Sequence, residues 1–373
     1  MTALLPTHAF ALLEAARERG DPLADAAAQQ PRAFAVLEHA PEPGSPLAQM
    51  LASIDPAPAW LDDDTLRRGG ELLHRTGPLA LVALASGSLL EGYADPRGNK
   101  PLAMTGQLER RAYRRLQETA RFLLLVCAPG GMRAGHGAGW RACVRVRLVH
   151  GRVRNLLRAS GRWSSAWGEP ANMHDTVGTL MMFTVFMLEG LERLGVAVEP
   201  LEAERYYRLF RYVGHVLGID DTVLPIDLDH ARRTTASIRA HRPPPDDDSR
   251  ALTHALLHAP VHDAASVPER LLGVALRSAL VGGAHLVLAP ELVAALQIPP
   301  TPTRHLLRLA RPLCAAWDRI GHHRRTRAWA VRSGERMWRA YVDYGLRDQP
   351  PPFAAPDDLQ GRSRAEPGGR SVG

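Results

Sequence analysis

An all-α fold in a single helical domain is predicted by three observations. Apolar residues recur at three- and four-residue intervals through one long stretch after another, the spacing of an amphipathic helix. Pro and Gly clusters punctuate those stretches where helices should stop. No run of alternating apolar and polar residues reads as a sheet, and no internal repeat is present. The chain has 373 residues, 45% of them hydrophobic, which is enough for a sizeable core; with aromatics at 6% that core is built mainly of Leu, Ala and Val.

Taken in order, residues 1–60 read as short helices with Pro-rich joints such as Pro41-Glu42-Pro43-Gly44. Asp62-Asp63-Asp64-Thr65 supplies cap chemistry and negative charge for a helix running to about Arg75. Gly77-Pro78 breaks it, and an apolar helix follows to about Tyr93. After the turn cluster Asp95–Asn99, a helix spans Thr105 to Cys127 and stops at Pro129-Gly130-Gly131; another covers about Gly139 to Ala159. Trp163, Trp167, Gly168 and Pro170 mark a loop, followed by a helix from Asn172 to Leu194. Pro200 and Glu202 open the next helix, which ends near Gly218. The segment Arg242–Asp248 is a linker that caps a further helix, with two or three more ending near Tyr344. Residues 350–373 are rich in Pro, Gly, Ser and Arg and read as a disordered tail, leaving 1–349 as the folded domain with its core at about 60–225.

The formal charge is +7 and nearly all of the basic residues are arginine, Lys100 being the sole lysine. The arginines are spread along amphipathic helices rather than gathered into a tail, so no nucleic-acid partner is expected. Cys127, Cys143 and Cys314 form no CxxC pair, which speaks against a disulfide framework or a thiolate zinc site. The N-terminal residues lack the basic and long apolar regions of a signal peptide. The nearest approach to a membrane span, Leu271–Ile298, is interrupted by Arg277, His285, Pro290 and Glu291 and reads as two buried helices joined by a turn. No transmembrane segment and a cytoplasmic location are therefore expected.

Arg147, His150 and Arg154 are spaced i, i+3, i+7 and share one helical face. A neutral imidazole is a good iron ligand, and arginines one turn away can pair with the carboxylates of a large anionic cofactor. On spacing alone, a basic solvated face with one half-buried histidine is the commoner arrangement. Arg115 and Thr119, at i, i+4, offer a guanidinium and a hydroxyl that can orient a small ligand such as dioxygen; the competing reading is a surface arginine and a threonine bonded to its own backbone. Tyr207, Arg211 and His215 form a polar line on an apolar helix, either a carboxylate contact with a supporting histidine or a satisfied buried network. His254, His258 and His262 lack the glutamate of HExxH, and Pro260 is expected to end the helix before His262, so a zinc site is disfavoured. His322-His323-Arg324-Arg325 reads as a solvated basic face. GxGxxG after a strand, GxxxxGK[ST] and GxSxG are absent, which weakens nucleotide-fold and hydrolase readings.

The ordered series MTGQLERRAYRRLQETARFLL, GWRACVRVRLVHGRVRNLL, the loop Trp167-Gly168, Pro170, Asn172, then GLERLGV and YYRLFRYVGHVLGI resembles the MpaB-type oxygenase family, also known as DUF2236, which includes the latex clearing proteins (rubber oxygenases). The resemblance covers roughly residues 85–225. It implies a globin-like helical core that binds haem b, with His150 as the proximal iron ligand, Arg147 and Arg154 near the propionates, Arg211 as a further cofactor contact, and Arg115 and Thr119 on the distal side. It implies an oxygenase that uses O2 to oxidise an apolar substrate, with cleavage of a carbon–carbon double bond as the leading reaction. Where some latex clearing proteins carry a lysine that can reach the iron, this chain has Glu118. Their distal glutamate has no clear counterpart; Glu91 and Glu109 are the nearest in sequence. Lacking an export signal, the chain is expected to act on an intracellular, isoprenoid-like molecule rather than on rubber. A haem-binding sensor or carrier without catalysis, and a basic helical interaction protein without haem, stand as alternatives.

Overall fold

The computed structural model describes residues 2–30, 33–34, 41–105, 107–262 and 266–346, and the backbone alone of residues 107–113, 262 and 324. The tail expected from residue 350 and the side chain of Glu109 lie outside the described residues. Among the described residues the architecture is helical throughout, with no strand.

Short helices come first: α1 (Thr7–Ala15) continued by the 3-10 turn Ala16–Glu18, α2 (Pro22–Ala28) and α3 (Pro46–Ala52). The helix expected from Asp62 to Arg75 is two, α4 (Asp63–Arg68) and α5 (Glu71–Thr76). Asp62 caps α4 through the Thr65 amide at 2.7 Å, as its residue type predicts. The split falls at Gly69-Gly70 because a Cβ on Gly70 would lie 2.0 Å from the Cys127 carbonyl oxygen. α6 (Pro78–Ala83) passes through a π-helical turn, Leu84–Ser88, into α7 (Leu89–Tyr93). After α8 (Lys100–Thr105) come the long helices α9 (Gln107–Cys127) and α10 (Ala138–Ala159). α11 (Met173–Met181), a second π-helical turn Met182–Phe186 and α12 (Met187–Arg193) form the expected apolar helix, and α13 (Pro200–Val216) follows.

The rest of the chain holds α14 (Leu228–His241), α15 (Asp247–His262), α16 (Val267–Val287), α17 (Pro290–Ala295), α18 (Thr303–His322) and α19 (Arg324–Gly345). α14 has no counterpart in the sequence reading, and α15 continues through Pro260 instead of ending there. The two helices expected across Leu271–Ile298 are present, but they are not both buried: Leu271 is 69% and Leu272 55% exposed. α16 is long and apolar enough by composition to cross a membrane, with 33% of that stretch buried. α9 is walled by α10, α15 and α19, and α10 by α2, α9 and α13.

Arg75 ties the early helices to the last ones. Its guanidinium is fully buried, donates to both carboxylate oxygens of Glu202 on α13 at 3.0 and 2.8 Å, and also pairs with the buried Asp318 on α18. Arg327 on α19 joins the same cluster through Glu202 at 2.9 Å and Glu71 at 2.8 Å. Removing one member strands buried charge, so Arg75→Ala is expected to cost about 3–5 kcal/mol. Urea unfolding should show that loss, and the triple change Arg75→Ala, Glu202→Gln, Asp318→Asn should recover part of it.

Candidate functional site

The site is built on α10 and α9. On α10, Val146, Val149, His150 and Val153 share one face and each keeps partial solvent accessibility, although the helix is walled by neighbours. Burial nevertheless dominates the state of His150: desolvation, reinforced by the charges of Arg154 and Arg115, pulls its pKa down to about 4. Among the described residues, neither ring nitrogen of His150 has a hydrogen-bond partner. The imidazole is therefore neutral near pH 7 and chemically free to bind a metal.

Arg115 of α9 is near enough to act on His150. Its charge acts on His150 and on the phenol of Tyr93, and 43% of its side chain stays accessible. Tyr93, at the end of α7, is buried, and desolvation raises its pKa to about 12. The sequence reading missed Tyr93; only its position before the Asp95 turn cluster could have drawn attention to it. Thr119 donates to the Arg115 carbonyl at 2.9 Å, the local backbone bond that competes with a ligand role. Glu118 is buried, paired with Arg114 at 3.1 Å and more loosely with Arg115 at 3.8 Å. Glu91 is held by Arg239 and Arg242 and is not part of this group.

Arg147 and Arg154 do not present free guanidiniums to a cofactor. Arg147 donates to both oxygens of Asp21, at 2.7 and 3.2 Å, and to Ser53 at 3.3 Å. Arg154 donates to Asp25 at 2.6 Å and to the Ala171 carbonyl at 2.9 Å. Both are buried and paired with carboxylates at the start of and within α2. The closeness of α2 and α10 requires Gly151, where a Cβ would stand 2.4 Å from the Ala24 carbonyl oxygen. Gly218, at φ +83°, closes α13 and makes room for the pair: a Cβ there would meet the Arg147 guanidinium at 2.6 Å.

Arg211 also lies apart from His150. Its guanidinium sits 3.9 Å over the Trp60 ring, and its buried Nε has no partner. Tyr207 donates to the Pro225 carbonyl at 2.6 Å, and His215 stacks on Tyr212. The polar line of α13 is thus partly satisfied and faces Trp60. His254 and His258 stack at 3.9 Å, and no group of three metal-binding side chains occurs among the described residues.

The Trp-Gly loop is structural. Trp163 donates to the Gly168 carbonyl at 2.7 Å, the Glu169 amide to the Arg17 carbonyl at 2.8 Å, and Asn172 caps α11 through the Asp175 amide at 2.8 Å. Arg17 then bonds Asp175 at 3.0 Å and shares His174 Nε2 with Glu14, which lies 3.2 Å from it. Burial lowers the pKa of His174, but hydrogen bonds to Asp175 and Glu14 more than offset it and the net shift is upward. Hydrogen bonding from His174 holds Glu14 down at about 2. The His174 contribution is present in full below its ordinary value near 6.5 and is lost as pH rises through the raised value; that of Glu14 is present above about 4.5 and is lost toward pH 2. The α1–α11 junction is expected to be most stable between those limits. Thermal unfolding across pH should show both limbs, and His174→Gln should abolish the alkaline one.

Residues 73–320, more than half of the chain, match the family described as ER-bound oxygenase mpaB/B'/Rubber oxygenase, catalytic domain. Over 235 residues the chain is 28% identical to the rubber oxygenase of Streptomyces sp. (strain K30), a match covering 60% of this chain and 56% of that protein. The match thus spans little more than half the length of that relative. In fold, the chain is similar to the latex clearing protein in its closed state, with a TM-score of 0.66 and 20% identity over 88% of this chain and 91% of that one. The order of motifs around α9, α10 and the Trp-Gly loop, the helical fold and the extent of the family match agree: this chain belongs to the MpaB and rubber oxygenase family.

Proposed function

We propose that this protein is a haem b-dependent oxygenase that uses O2 to oxidise an apolar, isoprenoid-like small molecule, with cleavage of a carbon–carbon double bond as the leading reaction. The observation that carries this reading is His150: a neutral, unbonded imidazole on an otherwise valine-lined face, within the field of Arg115. That state fits a ligand to haem iron, and His150 would hold the group from α10. Bound haem supplies the iron at which dioxygen is activated. Val146, Val149 and Val153 would exclude water around His150. Arg115 orients its N–H donors toward negative charge developing on oxygen. Tyr93, held protonated by burial, can donate a hydrogen bond there and cannot act as a base. Most of the apolar segment Leu180–Leu188 belongs to the core, and only Met182 and Phe183 keep accessible surface toward a substrate. Propionates would need cations other than Arg147 and Arg154, because Asp21 and Asp25 already claim those two.

Expression with haem supply tests the assignment. The wild type is expected to show a Soret band that shifts with carbon monoxide after reduction, and His150→Ala to lose it while remaining folded. Full haem retention in that variant would refute the ligand assignment. Arg115→Leu is expected to keep the band and slow oxidation of an alkene by about a hundredfold. Unchanged oxygen reactivity in Arg115→Leu would favour the carrier reading.

A further inference from the structure

The largest feature unused by this chemistry is an exposed apolar surface on α16 and α18. On α18, Leu306, Leu309, Leu313, Trp317 and Ile320 recur at helical spacing and are 65%, 76%, 72%, 49% and 47% exposed. The first half of α16 adds Val267, Leu271, Leu272, Val274 and Leu276, each at least 45% exposed. The helices pack together: Ser278 and Thr303 share a 2.6 Å hydrogen bond, and Gly282 lies against the α18 backbone. Trp329 of α19, itself 43% exposed, meets Trp317 edge to face at 5.9 Å. A soluble monomer rarely leaves so much contiguous apolar surface uncovered. The second half of α16 is core, with Val281, Ala284 and Val287 buried, which makes a full crossing by this helix incompatible with the fold.

We infer that this face docks in the plane of an anionic lipid bilayer, with α18 lying in the interface. Charge selects this occupant. α16 and α18 carry Arg270, Arg277, Arg304, Arg308, Arg311 and Arg319 against Glu269 and Asp318, and Asp318 is buried against Arg75. With the leucine arc sunk into the acyl boundary, the arginines on the other arc of α18 stand at headgroup level, where anionic headgroups complement them. Leucines on one arc, arginines on the other and tryptophans at the margin form the pattern of an interfacial helix. The C-terminal half of α16 rests on the π-helical turn Leu84–Ser88, which leads directly into α7 and Tyr93. The docking face is thus joined through packed helices to the wall of the candidate site.

Vesicle flotation of the full chain tests the inference. The wild type is expected to float with vesicles of phosphatidylcholine and phosphatidylglycerol, to bind phosphatidylcholine alone about tenfold more weakly, and to release at high salt. Tryptophan emission should shift to the blue on binding. The double substitution Leu309→Glu, Leu313→Glu is expected to abolish flotation with thermal unfolding unchanged, because both positions face outward. Absence of flotation by the folded wild type overturns the inference. A dimer in solution that the same double substitution splits, without vesicle binding, assigns the face to a second copy instead. The measurement reads lipid binding and not turnover, so it stands or falls independently of the haem assignment.

Discussion

The placement of α10 depends on two carboxylates of α2. Asp21 and Asp25 each take a buried arginine, Arg147 and Arg154, one turn to either side of His150. A buried ion pair contributes little net stability against well-packed apolar residues; its value here is specificity. Two pairs on one face fix both the rotation and the axial position of the helix, because a slip would strand four buried charges. Asp21 also caps α2 through the Ala24 amide, so one carboxylate starts one helix and aims another. Gly151 and Gly218 admit the close approach that these bonds require. The flanking arginines are taken up by Asp21 and Asp25, and His150 stands between them.

Much of the fold was legible where local chemistry decides it. Asp62 and Asn172 announced helix starts, and Pro129-Gly130-Gly131 a stop, since capping and helix breaking are short-range effects. The failures have long-range causes. Gly69-Gly70 resembles a tolerated pair in one helix, and the reason for the break is the Cys127 backbone more than fifty residues away. Pro260 removes one backbone hydrogen bond but does not stop α15, because packing against α9 and α16 outweighs that loss. α14 was within reach: Asp227 caps it through the His230 amide at 2.7 Å, a signal present in the sequence and passed over. Composition could not tell that the start of α16 faces outward, because a buried helix and an uncovered one have the same content.

The sequence put forward positions for the candidate site, but it could not supply their partners. Spacing singled out His150, and the family resemblance selected Arg115 and Thr119 from among many arginines and threonines. The same spacing suggested a clamp for cofactor carboxylates at Arg147 and Arg154, and a clamp exists, but its carboxylates belong to the chain. Asp21 is 126 residues from Arg147 and Asp25 is 129 from Arg154, so no local pattern could pair them. Arg211 likewise has a neighbour that spacing cannot supply. Helical periodicity places it on the polar line of α13 but cannot show that this line faces Trp60 and not α9.

Glu118 gives the site its particular electrostatic character. Where some members of the family carry a lysine, a buried carboxylate bridges Arg114 and, at a longer distance, Arg115. No amine is available at this position. Arg115 keeps only a 3.8 Å contact with Glu118, and its charge disfavours a proton on both His150 and Tyr93. Arg154 adds to the same field, while Asp21 opposes it at His150. A neutral histidine and a neutral tyrosine thus share a desolvated space in which positive charge predominates. Such a space disfavours a proton on the imidazole and favours negative charge arriving from outside. In a strongly basic chain, what marks this group is less the total charge than an arginine with only a loose 3.8 Å carboxylate contact beside a neutral histidine.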